Sequence, residues 1–143
     1  MPTYIHERFR TLIVDDDPVS RSFLRDYLGD ISDCVESKTG QEAVDAFEAA
    51  LSTDPFGLIC LDTFLPDFSG REVLQRVRDI ELRAGIEKDE STIVVMTTAA
   101  SDIKDVLKAM NKGCDGYIKK PFTQEQLFTE LNRVGIEFSW DPT

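Results

Sequence analysis

Five short apolar runs alternate with five stretches of helical periodicity along the 143 residues. That alternation predicts an α/β fold, a parallel sheet covered by helices on both faces. Three observations carry the prediction. Runs such as Leu12-Ile13-Val14, Leu58-Ile59-Cys60-Leu61 and Ile93-Val94-Val95-Met96 are continuously apolar, as strands buried on both faces must be. The segments between them open on helix-start signals: Asp17-Pro18, Thr39 with Glu42, and Thr123 with Gln126. Finally, the polar residues suited to chemistry stand just past the ends of the strands.

Taken in order, residues 1–9 are a lead-in and Arg10–Val14 is the first strand, stopped by Asp15-Asp16-Asp17-Pro18. Asp17 reads as a helix N-cap with Pro18 in the first turn. The helix places Val19, Phe23 and Tyr27 on one stripe with Leu24 and Leu28 beside it, and Gly29 closes it. A weaker second strand centres on Cys34-Val35-Glu36. Thr39 and Glu42 form a capping box before Ala43, Val44, Phe47 and Leu51 at helical spacing. The third strand, Leu58–Leu61, ends at Asp62, and Pro66 and Gly70 mark the turn that follows.

A third helix from about Ser69 carries Val73, Val77, Ile80 and Ala84 on one face. A polar loop, residues 85–91, leads to the fourth strand, Thr92–Thr97. The fourth helix shows Ile103, Val106, Leu107 and Met110 in register and ends at Gly113. The fifth strand, Gly116–Ile118, runs into Lys119-Lys120-Pro121, and a capping box at Thr123 opens a fifth helix with Leu127, Phe128, Leu131 and Val134. One domain over 10–136 is expected, with a short tail at 137–143.

Composition excludes several classes. A net charge of −11 and a pI near 4.5 argue against a nucleic-acid or anionic-membrane surface on this chain. No apolar run approaches the roughly 20 residues of a membrane span, and the first ten residues lack a signal-peptide core. Cys34, Cys60 and Cys114 are odd in number and widely spaced, which fits structural thiols in a reducing, cytoplasmic setting. The single histidine, His6, lies in the lead-in, so any histidine chemistry must come from another protein.

In open parallel sheets, ligands bind outside the carboxyl ends of the strands. Asp15, Asp16 and Asp17 follow the first strand, Asp62 the third, Thr98 the fourth and Lys120 the fifth. Each has a plain reading alone: capping acids, a turn aspartate, a strand-end threonine, a solvated lysine. Together they converge on one edge. Clustered carboxylates call for a cation between them, and oxygen ligands suit magnesium. A carboxylate beside that ion can attack phosphorus and form an aspartyl phosphate, with the Lys120 ammonium and the Thr98 hydroxyl taking phosphoryl oxygens.

These residues resemble a response-regulator receiver domain, the chemotaxis-type fold of two-component signalling, from Thr11 to about Val134. Leu12-Ile13-Val14-Asp15-Asp16 resembles its acidic pair, and Asp62 with Pro66 and Gly70 its phosphoacceptor loop. Met96-Thr97-Thr98-Ala99 is similar to its switch strand, and Tyr117-Ile118-Lys119-Lys120-Pro121-Phe122 to its lysine–proline turn. Spacing from Lys120 and the small Ala99 favour Thr98 over Thr97 as the switch hydroxyl, and Lys120 over Lys119 because it directly precedes the proline.

The resemblance implies the flavodoxin-like strand order 2-1-3-4-5. It also implies magnesium held by Asp15, Asp16, Asp62 and the Phe64 backbone carbonyl, a cis bond before Pro121, and Tyr117 as the aromatic that moves with Thr98. It implies a phosphoacceptor and not an enzyme. The implied partners are a sensor histidine kinase or histidine phosphotransfer protein upstream and a protein effector downstream. The effector would meet the fourth helix, fifth strand and fifth helix. A stand-alone receiver is the expectation.

Two departures stand out. The segment before the fourth strand is several residues longer than usual in the family, but it joins at the edge opposite the chemistry. Phe64 and Ala100 occupy the positions that flank the hydrolytic water in receivers, and neither side chain can orient one, so slow self-dephosphorylation is expected. Asp15-Asp16-Asp17-Pro18-Val19 also resembles the nucleophile motif of haloacid-dehalogenase-type phosphatases, with Asp15 as nucleophile and Asp17 as general acid. That reading leaves Asp62 without a role and lacks a later acidic metal pair. A non-phosphorylated pseudo-receiver is opposed by the complete set of Asp15, Asp16, Asp62, Thr98 and Lys120.

Overall fold

The structure, a computed structural model, describes residues 2–3, 8–99, 104, 107–108, 110, 113–136 and 139–140. Its strands are β1 (Pro2–Thr3), β2 (Phe9–Val14), β3 (Ser32–Ser37), β4 (Leu58–Asp62), β5 (Ile93–Thr98), β6 (Gly116–Lys119) and β7 (Ser139–Trp140). The helices are α1 (Pro18–Leu28), α2 (Gly40–Ala50), α3 (Gly70–Arg83) and α4 (Gln124–Arg133), with one 3-10 turn at Lys88–Glu90. The central sheet is parallel throughout, in the order β3-β2-β4-β5-β6. Counted from Phe9–Val14, that is the expected 2-1-3-4-5. β1 and β7 form a separate antiparallel pair that the lead-in and tail did not announce.

Alternation along the strands divides the core in two. Leu12, Val14, Ile59, Leu61, Val94 and Met96 face Ala43 and Phe47 of α2 and Val73, Leu74 and Val77 of α3. Ile13, Leu58, Cys60, Val95 and Ile118 face Leu24 and Leu28 of α1 and Leu127, Phe128 and Leu131 of α4. Each such fully buried large side chain stabilises the fold by about 1.5–3 kcal/mol. Four α-helices are complete among the described residues. Lys104, Leu107, Lys108 and Met110 are helical within the predicted fourth helix, and the rest of that segment lies outside the described residues.

Local signals are partly re-used. Asp17 caps α1 by accepting from the Val19 amide, and Ser69 caps α3 by accepting from Glu72. The Thr123–Gln126 capping box is reciprocal. At α2 only half of the box forms: Thr39 accepts from Glu42 N, while the Glu42 carboxylate reaches one residue further, to Lys38 N. Gly29 ends α1 in the right-handed helical region at φ −58°, so the stop does not use glycine's left-handed freedom. Val19 and Phe23 are not core residues: they are 59% and 55% exposed, and Leu24 and Leu28 turn inward instead. Ala84 likewise faces solvent. A 100°-wide apolar stripe needs only part of the helix surface, so apolar spacing alone cannot say which of two adjacent stripes is buried.

Candidate functional site

The parallel register builds the site. Val14, Leu61, Met96 and Tyr117 form one row across β2, β4, β5 and β6. Asp15 and Asp62 stand one residue past that row, Thr98 two past it and Lys120 three past it, so all four emerge at the same carboxyl edge. Oxygens of Asp15, Asp16 and Asp62 lie within 4.8 Å of one another.

Asp15 is buried and fixed from every side. Its amide donates to Ser37 O and its carbonyl accepts from Arg21 at 2.8 Å. Its Oδ1 accepts from the Asp17 amide and its Oδ2 from Lys120 Nζ at 2.7 Å. Asp16 is exposed. Asp62 keeps some solvent access, with 15% of its side-chain surface open, and its Oδ1 lies 3.5 Å from Lys120 Nζ. Burial pushes the Asp62 carboxyl up, the Lys120 charge pulls it back, and Asp15 pushes it up again, to about 6. For Lys120, burial opposes the charge, but the Asp15 hydrogen bond and the Asp62 charge outweigh it and hold its pKa above the ordinary lysine value.

The loop after Asp62 is pinned at both ends. Thr63 donates from its amide and from Oγ1 to Thr97 O, and Gly70 N donates to Thr63 O. A Cβ on Gly70 would lie 2.2 Å from the Asp62 carbonyl oxygen, so only glycine allows α3 to start this close to β4. Asp67 accepts from the amides of Gly40 and Gln41 and ties the same loop to the start of α2. On the other flank, Lys120 N donates to Thr98 O, and the Lys120–Pro121 peptide bond is cis.

Thr98 is fully buried and its Oγ1 donates to Ala99 O. Tyr117 is partly buried, and its amide donates to Glu130 Oε2. Phe64 projects its ring to solvent, 58% exposed. Ala100 lies outside the described residues. Asp17 is occupied as the cap of α1, accepting from Val19 N and Ser20 Oγ.

Three features escaped the sequence reading: the Thr63 link to β5, the Asp67 tether and the buried Arg21. Asp67 and Thr63 carry no local signal, because their partners are 27 and 34 residues away. Arg21 sits on the same helical face as Leu24 and Leu28, and that spacing was the available clue.

Residues 11–132 match the response regulator receiver domain family. The chain belongs to that family. It is 35% identical over 124 residues to the response regulator ArlR of Staphylococcus haemolyticus, covering 86% of this chain and 51% of ArlR. It is 34% identical to the transcriptional regulatory protein TrcR of Mycobacterium tuberculosis, over 85% of this chain and 43% of TrcR. The chain therefore spans about half the length of the curated relatives it matches.

Among solved structures, it is similar to a CheY-like response regulator receiver domain protein from Methanospirillum hungatei, with a TM-score of 0.70 and 26% identity over 89% of this chain and 93% of that one. The BeF3-activated DrrB receiver domain gives 0.69 and 27%, over 89% and 97%. The receiver fold is that of two-component signalling, and among the described residues no helix is long and apolar enough to cross a membrane.

The cluster fits the divalent cation that receivers bind. Three carboxylates offer only oxygen donors within one small span, and among the described residues the Lys120 ammonium offsets them, leaving net negative charge for a cation to neutralise.

Proposed function

We propose that this receiver accepts a phosphoryl group on Asp62 from a partner phosphohistidine and passes the change to a protein effector. The observation that carries the reading is the partly open Asp62 carboxylate beside Lys120 and within reach of Asp15 and Asp16. Asp15, Asp16, Asp62 and the Phe64 carbonyl would hold Mg2+, which supplies neutralisation of the charge on the transferring phosphoryl group.

An Asp62 oxygen attacks phosphorus, the P–N bond of the donor breaks as the P–O bond forms, and the imidazole leaves neutral with a proton on its other nitrogen. The Lys120 ammonium offsets charge on one phosphoryl oxygen and the Thr98 hydroxyl turns from Ala99 O to another. With a pKa of about 6, Asp62 is mostly the carboxylate at neutral pH, as a nucleophile must be.

The chain's own part ends there: it is a phosphoacceptor, with self-dephosphorylation as its only turnover. Asp15 is a poor nucleophile by comparison, being buried with both carboxylate oxygens already accepting hydrogen bonds. The exposed Phe23 of α1 lines a pocket with Lys120 and Phe122, and the exposed Val19 one turn earlier extends the same apolar face, which suits a donor protein with an apolar helix face. The effector would read the predicted fourth helix, β6 and α4, where Tyr117 and Thr98 report occupancy of Asp62. A cytoplasmic setting fits the free thiols of Cys34, Cys60 and Cys114.

The test is intact mass after incubation with acetyl phosphate and magnesium. One phosphoryl adduct that requires magnesium and is lost in Asp62→Asn is expected. An adduct that persists in Asp62→Asn and vanishes in Asp15→Asn would favour the phosphatase chemistry instead. No adduct in any form would leave a pseudo-receiver.

A further inference from the structure

The molecule buries one guanidinium that phosphoryl transfer does not use. Arg21, on α1, is 8% exposed. One arm of its fork donates to the Asp15 carbonyl at 2.8 Å, and its Nε donates to Glu36 Oε1 on β3 at 3.1 Å. Arg25, one turn later, takes the other Glu36 oxygen at 2.8 Å. Glu36 is thereby locked between two arginines, and Arg21 is held from outside while it holds Asp15 from within.

Both backbone polar groups of Asp15 are thus fixed by different elements, the amide by Ser37 at the end of β3 and the carbonyl by α1 through Arg21. Little freedom is left to this residue beyond its own side-chain torsions. A planar, permanently charged fork suits this task, since it can serve two acceptors at a fixed angle where an ammonium cannot.

We propose that Arg21 is a positioning residue for divalent-cation binding, acting by fixing the backbone from which the Asp15 carboxylate is presented. The inference rests on the magnesium reading above. Its sign separates it from simple electrostatics. Removing a positive charge near three carboxylates should by itself tighten cation binding, whereas losing the strut should weaken it.

The experiment is a titration of the whole chain with Mn2+, followed by the electron paramagnetic resonance signal of the free ion, on wild type, Arg21→Met, Arg21→Lys, Glu36→Gln and Asp15→Asn. Urea midpoints are measured alongside. Wild type should bind saturably and Asp15→Asn should not. Arg21→Met should raise Kd by about 10-fold or more, the range found for groups that orient metal ligands. Arg21→Lys should fall between them, and Glu36→Gln should weaken binding less than Arg21→Met because the Asp15 contact survives.

Unchanged or tighter binding by folded Arg21→Met overturns the inference and leaves the metal reading standing. Should Arg21→Met not fold, wild-type affinity in both Arg21→Lys and Glu36→Gln overturns it equally. No saturable binding by wild type overturns the metal reading and this inference with it.

Discussion

Asp62→Asn should make the cation-free protein more stable at neutral pH, although it deletes the proposed phosphoacceptor. The Asp62 carboxyl has a pKa of about 6 in the fold against an ordinary 3.8, so the folded chain holds that proton more tightly than the unfolded one. The Asp62 contribution to stability therefore falls as pH rises from about 4 to about 6 and stays at its lowest above. A shift of about two units corresponds at most to about 3 kcal/mol, and screening by the solvent that reaches Asp62 reduces this to about 1–2 kcal/mol.

Asparagine keeps the volume and removes the charge. Lys120 is not orphaned, because it retains Asp15 at 2.7 Å. Urea unfolding followed by circular dichroism, with chelator present, should show Asp62→Asn shifted upward by about 0.5–1 M at pH 7.5. At pH 4.5 the gap should shrink to about a third, since the folded wild-type carboxyl is then protonated and the remaining cost is only that of taking up a proton slightly above its ordinary pKa of 3.8. Added magnesium should narrow or reverse the gap by binding wild type more tightly than Asp62→Asn. A mutant less stable at pH 7.5, or a gap that does not change with pH, would refute the reasoning.

Other outcomes follow from single contacts. Lys120→Met should slow phosphorylation by acetyl phosphate by about 100-fold, the scale for loss of one charge-stabilising donor, as read by intact mass against time. Gly70→Ala should cost about 1–3 kcal/mol through overpacking against the Asp62 carbonyl and slow phosphorylation as well, because α3 must retreat from β4. Glu81, 4% exposed, accepts from Arg78 and from the Thr92 amide; Glu81→Ala should cost about 3–5 kcal/mol in thermal unfolding while leaving the phosphorylation rate unchanged. The phosphorylated wild type should persist for minutes or longer, because Phe64 offers no polar group to a water, and a half-life of seconds by the same mass assay would contradict this.

The sheet was legible because its evidence is local: continuous apolar runs set the strands, and strand ends set Asp15, Asp62, Thr98 and Lys120 at one edge. Helix starts were legible for the same reason, since Asp17, Ser69 and Thr123 cap within three residues of themselves. What escaped depends on contacts between distant segments. Val19 and Phe23 share an apolar stripe beside that of Leu24 and Leu28, and because period alone does not choose between neighbouring stripes, it is the sheet beneath α1 that selects Leu24 and Leu28. Glu42 reached Lys38 in place of the capping-box partner, a choice of one residue that side-chain geometry makes and composition does not. Arg21 was hidden by its type, since arginine is ordinarily a surface residue and becomes a core one only where acceptors such as Asp15 O and Glu36 await it.

The end of β5 is where these contacts gather. The Thr97 carbonyl holds Thr63, and so the loop that follows Asp62; the Thr98 carbonyl holds the amide of Lys120. The two sides of the proposed phosphoacceptor site therefore hang from adjacent peptide groups of one strand. If Thr98 leaves Ala99 O for a phosphoryl oxygen, the strand end that fixes both flanks is the first backbone to feel it. From there the next strand is β6, whose Tyr117 amide is tied to Glu130 of α4, itself clamped through both carboxylate oxygens by Arg133. Contacts of this kind carry a signal only if β5 and β6 have two arrangements of comparable free energy, and a ligand shifts such an equilibrium only by its differential affinity. Under the proposed function that difference rests on the hydroxyl of Thr98: Thr98→Ala should still take a phosphoryl group on Asp62 yet bind an effector equally well in both states.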